Sequence, residues 1–166
     1  TTRSASDLQW AGAFGHVFLR KAVPDDLRRK ILNLKQEGCR IVLLSGSLQL
    51  LVDQLRERLE AEILIGNGLE VVDGRLTGKL KGDIIDGAKK AELLKTLAMV
   101  ENISLEQTIA VGDGANDLPM LHTAGLGVAF HAKPIVRANA DRAISSVGLD
   151  GLLYLMGISE REIRQA

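Results

Sequence analysis

The sequence predicts an α/β fold in which a mostly parallel sheet is flanked by helices. The main observation is an alternation, beyond about residue 24, of helical periodicity with short apolar runs, which is typical of βα units around a parallel sheet. The second is size and composition: 166 residues with 46% hydrophobic and 25% charged content suit one globular domain with its own core. Aromatic residues make up only 3% of the chain, so we expect a core of aliphatic side chains.

Charge and cysteine content exclude several classes of partner. Lys plus Arg equals Asp plus Glu at 21 each, so we expect neither nucleic acid nor an anionic membrane as a partner. The single cysteine, Cys39, excludes an internal disulfide and fits a reducing compartment, and we predict a cytoplasmic location. No apolar run reaches the roughly 18 residues of a membrane span, and the first residues are not typical of a signal peptide. The chain begins with Thr1 rather than Met, which fits a processed or incompletely represented N-terminus.

The first part of the alternation predicts two helices and two strands. Its elements in chain order are a helix from Pro24 to Gly38, a strand at 40–44, a turn at 45–47, a helix with its apolar side at 48–59, and a strand at 63–65 ended by Gly66-Asn67-Gly68. The strand at 40–44 is a continuous apolar run, as a strand buried on both faces requires. Pro at the first helical position and Gly just past the end are ordinary helix boundaries.

A β-hairpin at about 69–81 interrupts this rhythm. Asp73-Gly74 separates two segments of strand-like residues, and Asp-Gly favours the positive φ angles of a tight primed turn. The alternation then resumes, with a helix at 86–99, a strand at 108–111, a loop at 112–117, a helix ending near Gly125, a strand at 126–130, a helix at 134–140, a strand at 142–145 and a helical tail at 149–166.

The start of the chain does not follow this pattern. We interpret residues 1–23 as an N-terminal segment, a remnant of a cap or a linker, and residues 24–166 as the core domain. A helix capped by Ser6 and a strand at 17–19 are both consistent with the first twenty residues, and the sequence does not decide between them.

The loop at 112–117 is the most informative segment for chemistry. It reads Gly-Asp-Gly-Ala-Asn-Asp directly after four apolar residues, at the position where ligands bind in open parallel sheets. Glycines there let the backbone approach a ligand, and the carboxylate of Asp113 suits a hard cation such as Mg²⁺. Asp117 follows four residues later and could orient the site.

Two further features are weak when taken alone. Ser45 and Gly46 follow a predicted strand and precede a helix, where a hydroxyl and a backbone amide can hold phosphate; a plain helix-capping role is equally consistent. Lys90 lies on a predicted helix, where a lysine is usually on the surface, as are Lys89 and Lys95.

In this order, the three features resemble motifs II, III and IV of the haloacid dehalogenase superfamily, and within it the phosphoserine phosphatases. The resemblance extends over about residues 22–154, including the hairpin and the segment Gly-Val-Ala-Phe-His-Ala-Lys-Pro at 127–134. It implies a Rossmann-like core and a Mg²⁺-dependent phosphatase that forms an aspartyl-phosphate. The implied substrate is a small phosphorylated metabolite similar to phosphoserine.

The resemblance also implies a role for each matching residue. Asp113 would bind Mg²⁺, and Asp117 would position Lys90 and the metal site. Lys90 would neutralise phosphoryl charge, as phosphoryl transfer requires. The residues that would contact the phosphoryl group or substrate are Ser45, Gly46, Lys90 and Asn116. His131 and Lys133 fall in a loop near the site in such proteins, but an ordinary polar loop role is the better interpretation for them.

The attacking half of this chemistry is absent from the sequence. The superfamily uses an Asp-x-Asp-x-Thr motif whose first Asp attacks phosphorus, and no such motif precedes Ser45. The helical cap that grips the substrate also has no counterpart. Two interpretations remain open: a phosphatase of which this chain is a part, and a non-catalytic relative that acts as a binding or interaction module. Under both, we expect the chain alone to be inactive.

Overall fold

The computed structural model describes residues 25–159, without the side chains of 25–27, 57 and 58. These residues form two compact units, 25–85 with 158–159 and 86–157. The predicted elements within 1–23, the boundary at 23/24 and the end of the predicted tail lie outside the described residues. Each unit contains one three-stranded sheet, β1-β2-β3 in the first and β4-β5-β6 in the second.

The first unit combines three helices with a mixed sheet. Its elements are α1 (Asp25–Gln36), β1 (Val42–Leu48), α2 (Gln49–Asp53), α3 (Arg56–Leu59), β2 (Ile63–Val72) and β3 (Arg75–Lys81). Strands β1 and β2 are parallel, and β2 and β3 are antiparallel. Helix α1 buries Ile31 and Leu34, three residues apart on one face, as the helical periodicity predicts. The apolar side predicted at 48–59 is divided between two short helices.

Strand β1 differs from the prediction in length and in burial. It continues through Ser45 and Gly46 to Leu48, so the predicted turn at 45–47 is wrong. The pairing with β2 is irregular there, because three residues of β1 lie opposite Gly66 alone, as in a bulge. The strand is also half-exposed rather than buried on both faces, since it pairs on one side only among residues 25–159.

Strand β2 is longer than predicted, and it carries the hairpin. The predicted end at Gly66-Asn67-Gly68 is wrong, because the strand continues to Val72 and pairs with β3. The hairpin itself is confirmed: Val72 pairs with Arg75, and Asp73 and Gly74 adopt φ values of 48° and 71°. Both angles lie in the left-handed region that a type I′ turn requires.

The second unit has the predicted βα order. Its elements are α4 (Gly87–Val100), β4 (Ile109–Gly112), α5 (Leu118–Thr123), β5 (Leu126–Phe130), α6 (Pro134–Asn139), β6 (Arg142–Ile144) and α7 (Gly151–Leu155). All pairs in its sheet are parallel, and Gly112 lies in register with Ala129. The predicted tail helix is shorter within the described residues, because it ends before Gly157, whose φ is 84°, the usual glycine stop. The α/β fold class is confirmed.

The core of the second unit is aliphatic, as the low aromatic content predicts. Its largest fully buried side chains are Leu121, Val128, Val136 and Leu153, with 0–1% exposure. Gly127 on β5 is required by this packing, since a Cβ there would overlap the backbone of Leu121. Within the part of the chain that the structure describes, no helix has both the length and the apolar character needed to cross a membrane.

A cluster of charged groups joins α1 to the start of β2 in the first unit. Lys35 Nζ lies 3.1 Å from Glu62 Oε1 and donates to the Glu60 carbonyl at 2.6 Å. The other Glu62 oxygen accepts from the Ile41 amide at 2.8 Å. Burial alone would raise the pKa of Glu62, but the hydrogen bonds from Ile41 and Lys35 outweigh it, and its pKa is lowered.

We expect this cluster to make stability depend on pH. A carboxyl with a lowered pKa stabilises the fold above its ordinary value near 4.3, and this stabilisation is lost as pH falls through the folded-state pKa. Glu62→Gln should therefore lower the free energy of unfolding by about 1 kcal/mol near neutral pH. Well below the folded-state pKa of Glu62, the substitution should change it very little. Urea unfolding over a series of pH values measures this difference. The control is Glu70→Gln, which removes a surface carboxylate bonded to Thr77. If the Ile41–Glu62 bond does not contribute to stability, the free energy of unfolding will depend on pH in the same way in both variants.

Candidate functional site

The second unit contains a buried ion pair at the start of α4. Asp86 caps this helix by accepting a hydrogen bond from the Lys89 amide at 2.8 Å. Lys90 is therefore in the first turn, and it is only 6% exposed. Its Nζ lies 2.6 Å from Oδ1 of Asp117, which is also 6% exposed. The structure thus joins two of the predicted site residues, 27 positions apart, in one buried contact.

The glycines of the 112–117 loop fix the position of Asp117. A 3₁₀ turn at Ala115–Asp117 follows Gly114. The Asp117 amide donates to the Gly114 carbonyl at 2.9 Å, and the Gly114 amide donates to Asp117 Oδ2 at 3.1 Å. A Cβ at Gly112 would lie 2.5 Å from the Asp117 Cβ, so this approach needs glycine. Both oxygens of Asp117 are therefore occupied, one by Lys90 and one by the backbone.

Asp113 lies at the end of β4 beside a cavity of about 320 Å³. In contrast to Asp117, it is exposed. The cavity is lined by Val111, Gly112, Asp113, Phe130 and His131. Because β4 and β5 are parallel, their carboxyl ends form one edge of the sheet, where ligands bind in such folds.

The donor chemistry of Asp113 fits a hard cation only in part. An exposed carboxylate is the kind of oxygen ligand that Mg²⁺ takes. Within residues 25–159, however, no three His, Cys, Asp or Glu side chains come together as a metal cluster. Asp113 can therefore supply one position of a coordination shell.

His131 is a cavity residue to which the sequence assigned only an ordinary loop role. It adopts a φ of 46°, which is uncommon for a residue with a side chain. Its amide donates to the Ile144 carbonyl at 2.8 Å, and its Nε2 lies 3.0 Å from the Val147 carbonyl. A carbonyl can only accept, so Nε2 carries the hydrogen. In the sequence, the position of His131 directly after the strand at 126–130 was the signal that could have placed it at the site. Lys133 is exposed at the cap of α6.

The remaining predicted residues lie in the 3₁₀ turn and in the bulge of β1. Asn116 is exposed in the 3₁₀ turn. In the first unit, Ser45 is half-buried in the bulge of β1, and its Oγ accepts from the Ser47 amide at 3.1 Å. The Gly46 carbonyl accepts from Asn67 Nδ2 at 2.7 Å. The sequence predicts only that Asn67 lies where a strand ends.

The chain shares extensive sequence similarity with phosphoserine phosphatases. It is 48% identical over 139 residues to the phosphoserine phosphatase of Streptomyces coelicolor. The aligned region covers 84% of this chain and 34% of that protein. The chain thus spans about a third of the length of this relative. The model of the haloacid dehalogenase-like hydrolase family matches residues 2–122.

Solved structures show the same similarity to phosphoserine phosphatases. A probable phosphoserine phosphatase from Vibrio cholerae in its unliganded form superposes with a TM-score of 0.72 at 38% identity, over 82% of this chain and 42% of that one. A phospho-aspartyl intermediate analogue of phosphoserine phosphatase superposes with a TM-score of 0.70 at 39% identity, over 78% of this chain and 62% of that one. The fold, the motif order and these similarities agree: the chain belongs to the haloacid dehalogenase-like hydrolase family.

Proposed function

We propose that this chain is part of a Mg²⁺-dependent phosphomonoester hydrolase that acts on a small metabolite similar to phosphoserine through an aspartyl-phosphate. The chain itself contains no Asp-x-Asp-x-Thr motif, so we further propose that it binds phosphate and metal but does not hydrolyse a substrate alone. The relatives named above support the reaction class.

The buried pair of Lys90 and Asp117 is the observation that carries this proposal. Removing two charges from water is costly, and a buried ion pair is weak evidence for stability. A lysine held at 6% exposure by a carboxylate at 2.6 Å is a preorganised cation beside a glycine-rich loop. Such a cation stabilises charge that develops on phosphoryl oxygens without reorganisation during the reaction.

The remaining roles are those that the resemblance to the family implies for this chain. The Ser45 hydroxyl and the Gly46 amide donate hydrogen bonds to phosphoryl oxygens, and Asn116 contacts the phosphoryl group or the substrate. Asp117 holds Lys90 in place through their contact at 2.6 Å. Asp113 supplies one oxygen ligand to Mg²⁺, which when bound would neutralise further phosphoryl charge.

The metal assignment is tested on the ¹⁵N-labelled chain. Mg²⁺ titrated into the wild-type chain should shift the amide signals of Gly112 and Gly114, and Asp113→Asn should abolish these shifts. Asp73→Asn, which changes an exposed aspartate at the tip of the hairpin, is the matched control and should leave them intact. Equal shifts in the wild type and in Asp113→Asn would show that Asp113 is not a metal ligand.

The hydrolysis assay tests the second half of the proposal. With O-phosphoserine and Mg²⁺, the chain should release no phosphate above the rate of the buffer. Release that disappears in Asp113→Ala would show that the chain is active without the motif. An Asp-x-Asp-x-Thr strand encoded upstream of Thr1 in the natural gene would favour the hydrolase, whereas a natural start at this position would favour the non-catalytic binding module.

A further inference from the structure

Asn67 is a buried side chain that joins two backbone segments of the first unit. It is 6% exposed. Its Nδ2 donates to the Gly46 carbonyl at 2.7 Å, and its Oδ1 accepts from the Ile85 amide at 2.8 Å. These partners fix the orientation of the side-chain amide, because a carbonyl only accepts and an N–H only donates. Asn67 therefore ties the β1 bulge to the segment at Ile85.

The bond to Gly46 lies where the β1–β2 ladder is irregular. Leu44 pairs with Ile65 and Leu48 pairs with Asn67, so residues 45–47 lie opposite a single residue of β2. Such a bulge removes backbone groups from the regular ladder, so their polar atoms take other partners. The Asn67 side chain supplies that partner for Gly46.

The same bond acts on Ser45 through one peptide plane. The peptide between Gly46 and Ser47 is trans, so the Gly46 carbonyl and the Ser47 N–H point in opposite directions from one rigid unit. With the carbonyl held by Asn67, the Ser47 N–H reaches the Ser45 Oγ at 3.1 Å. Because this oxygen accepts from the backbone, its own hydrogen can be donated to a ligand.

We infer that Asn67 is a positioning residue that orients the Ser45 hydroxyl and the Gly46–Ser47 backbone for phosphate. The inference rests on the proposed function, because it takes Ser45 and Gly46 as the phosphate-binding groups. Asn67 acts through the Gly46 carbonyl and does not itself contact the ligand.

The test compares phosphate binding by the whole chain and by two variants. Asn67→Asp keeps the shape and the acceptor for the Ile85 amide, but its ionised form has no hydrogen for the Gly46 carbonyl. Asn67→Ala removes both bonds. In each variant, the Kd for inorganic phosphate, followed by ¹H–¹⁵N spectra, should rise about tenfold. The Gly46 and Ser47 amide signals should also move before phosphate is added, which a loss of overall stability alone would not produce.

Thr108→Val is the matched control. Thr108 is also buried at 9% exposure, and its Oγ1 likewise links two backbone groups, the carbonyl of Leu105 and the amide of Gly125. It belongs to the other unit. The Kd of the Thr108→Val variant for inorganic phosphate should remain within about twofold of the wild-type value.

Ser45→Ala separates failure of the inference from failure of the proposed function. If Ser45→Ala weakens phosphate binding while both Asn67 variants bind as the wild type does, Asn67 has no positioning role and the proposed function stands. If Ser45→Ala leaves the phosphate Kd unchanged, both ideas are overturned. Weakened binding in Ser45→Ala and in both Asn67 variants, with an unchanged control, supports the inference.

Discussion

Replacing Asp117 with Asn should lower the free energy of unfolding by about 3–5 kcal/mol, because it leaves a buried lysine charge without its partner. Lys90 and Asp117 are each 6% exposed and lie 2.6 Å apart, so water cannot readily replace the lost carboxylate. The double variant Lys90→Met/Asp117→Asn should regain much of this loss, since it removes both charges. Urea unfolding of the wild type, the two single variants and the double variant measures the coupling energy between the two positions.

A surface ion pair on α4, the helix that carries Lys90, provides the comparison. Lys89 Nζ lies 2.8 Å from Glu92 Oε1, and the Glu92 side chain is 63% exposed. Glu92→Gln should change stability by less than about 0.5 kcal/mol, as is usual for exposed pairs. Similar small losses in Asp117→Asn and Glu92→Gln would mean that Lys90 is solvated in solution, which would remove the observation on which the proposed function depends.

Leu121→Ala should destabilise the second unit by about 2–5 kcal/mol through loss of buried surface and formation of a cavity. Leu121 is 0% exposed and lies on α5, the helix that directly follows the Asp117 turn. Thermal and urea unfolding measure this change in the free energy of unfolding. Hydrogen exchange at the Gly114 amide, which is bonded to Asp117, should also become faster, since the turn is anchored to this helix.

Two substitutions establish that the effect comes from packing. Leu121→Met nearly conserves volume and should cost less than about 1.5 kcal/mol. Met99→Ala removes a side chain that is 80% exposed and should stay within about 0.5 kcal/mol of the wild type. A loss below about 1 kcal/mol for Leu121→Ala would contradict the enclosed position of this residue.

Local sequence signals predicted the hairpin and the parallel strands of the second unit well. Asp73-Gly74 forms the turn because the conformation it needs is a property of those two residues. Strand 126–130 agrees with the prediction at both ends. The errors at 45–47 and 66–68 share one cause. Glycine, serine and asparagine are typical of turns, but here residues distant in sequence pair with both segments, since Asn67 lies in register with Leu48 and Gly68 with Lys81.

The sequence by itself determined the order of elements, the composition of the core and the set of candidate site residues, because periodicity, turn chemistry and motif spacing are local properties. Only the tertiary structure decided which lysine is buried. Helical periodicity treats Lys89, Lys90 and Lys95 alike, and only the resemblance singled out Lys90; in the structure Lys90 alone of the three is buried, with Asp117 as its partner. That partner lies 27 positions away, and a buried cation requires a counter-charge that only folding can bring to it.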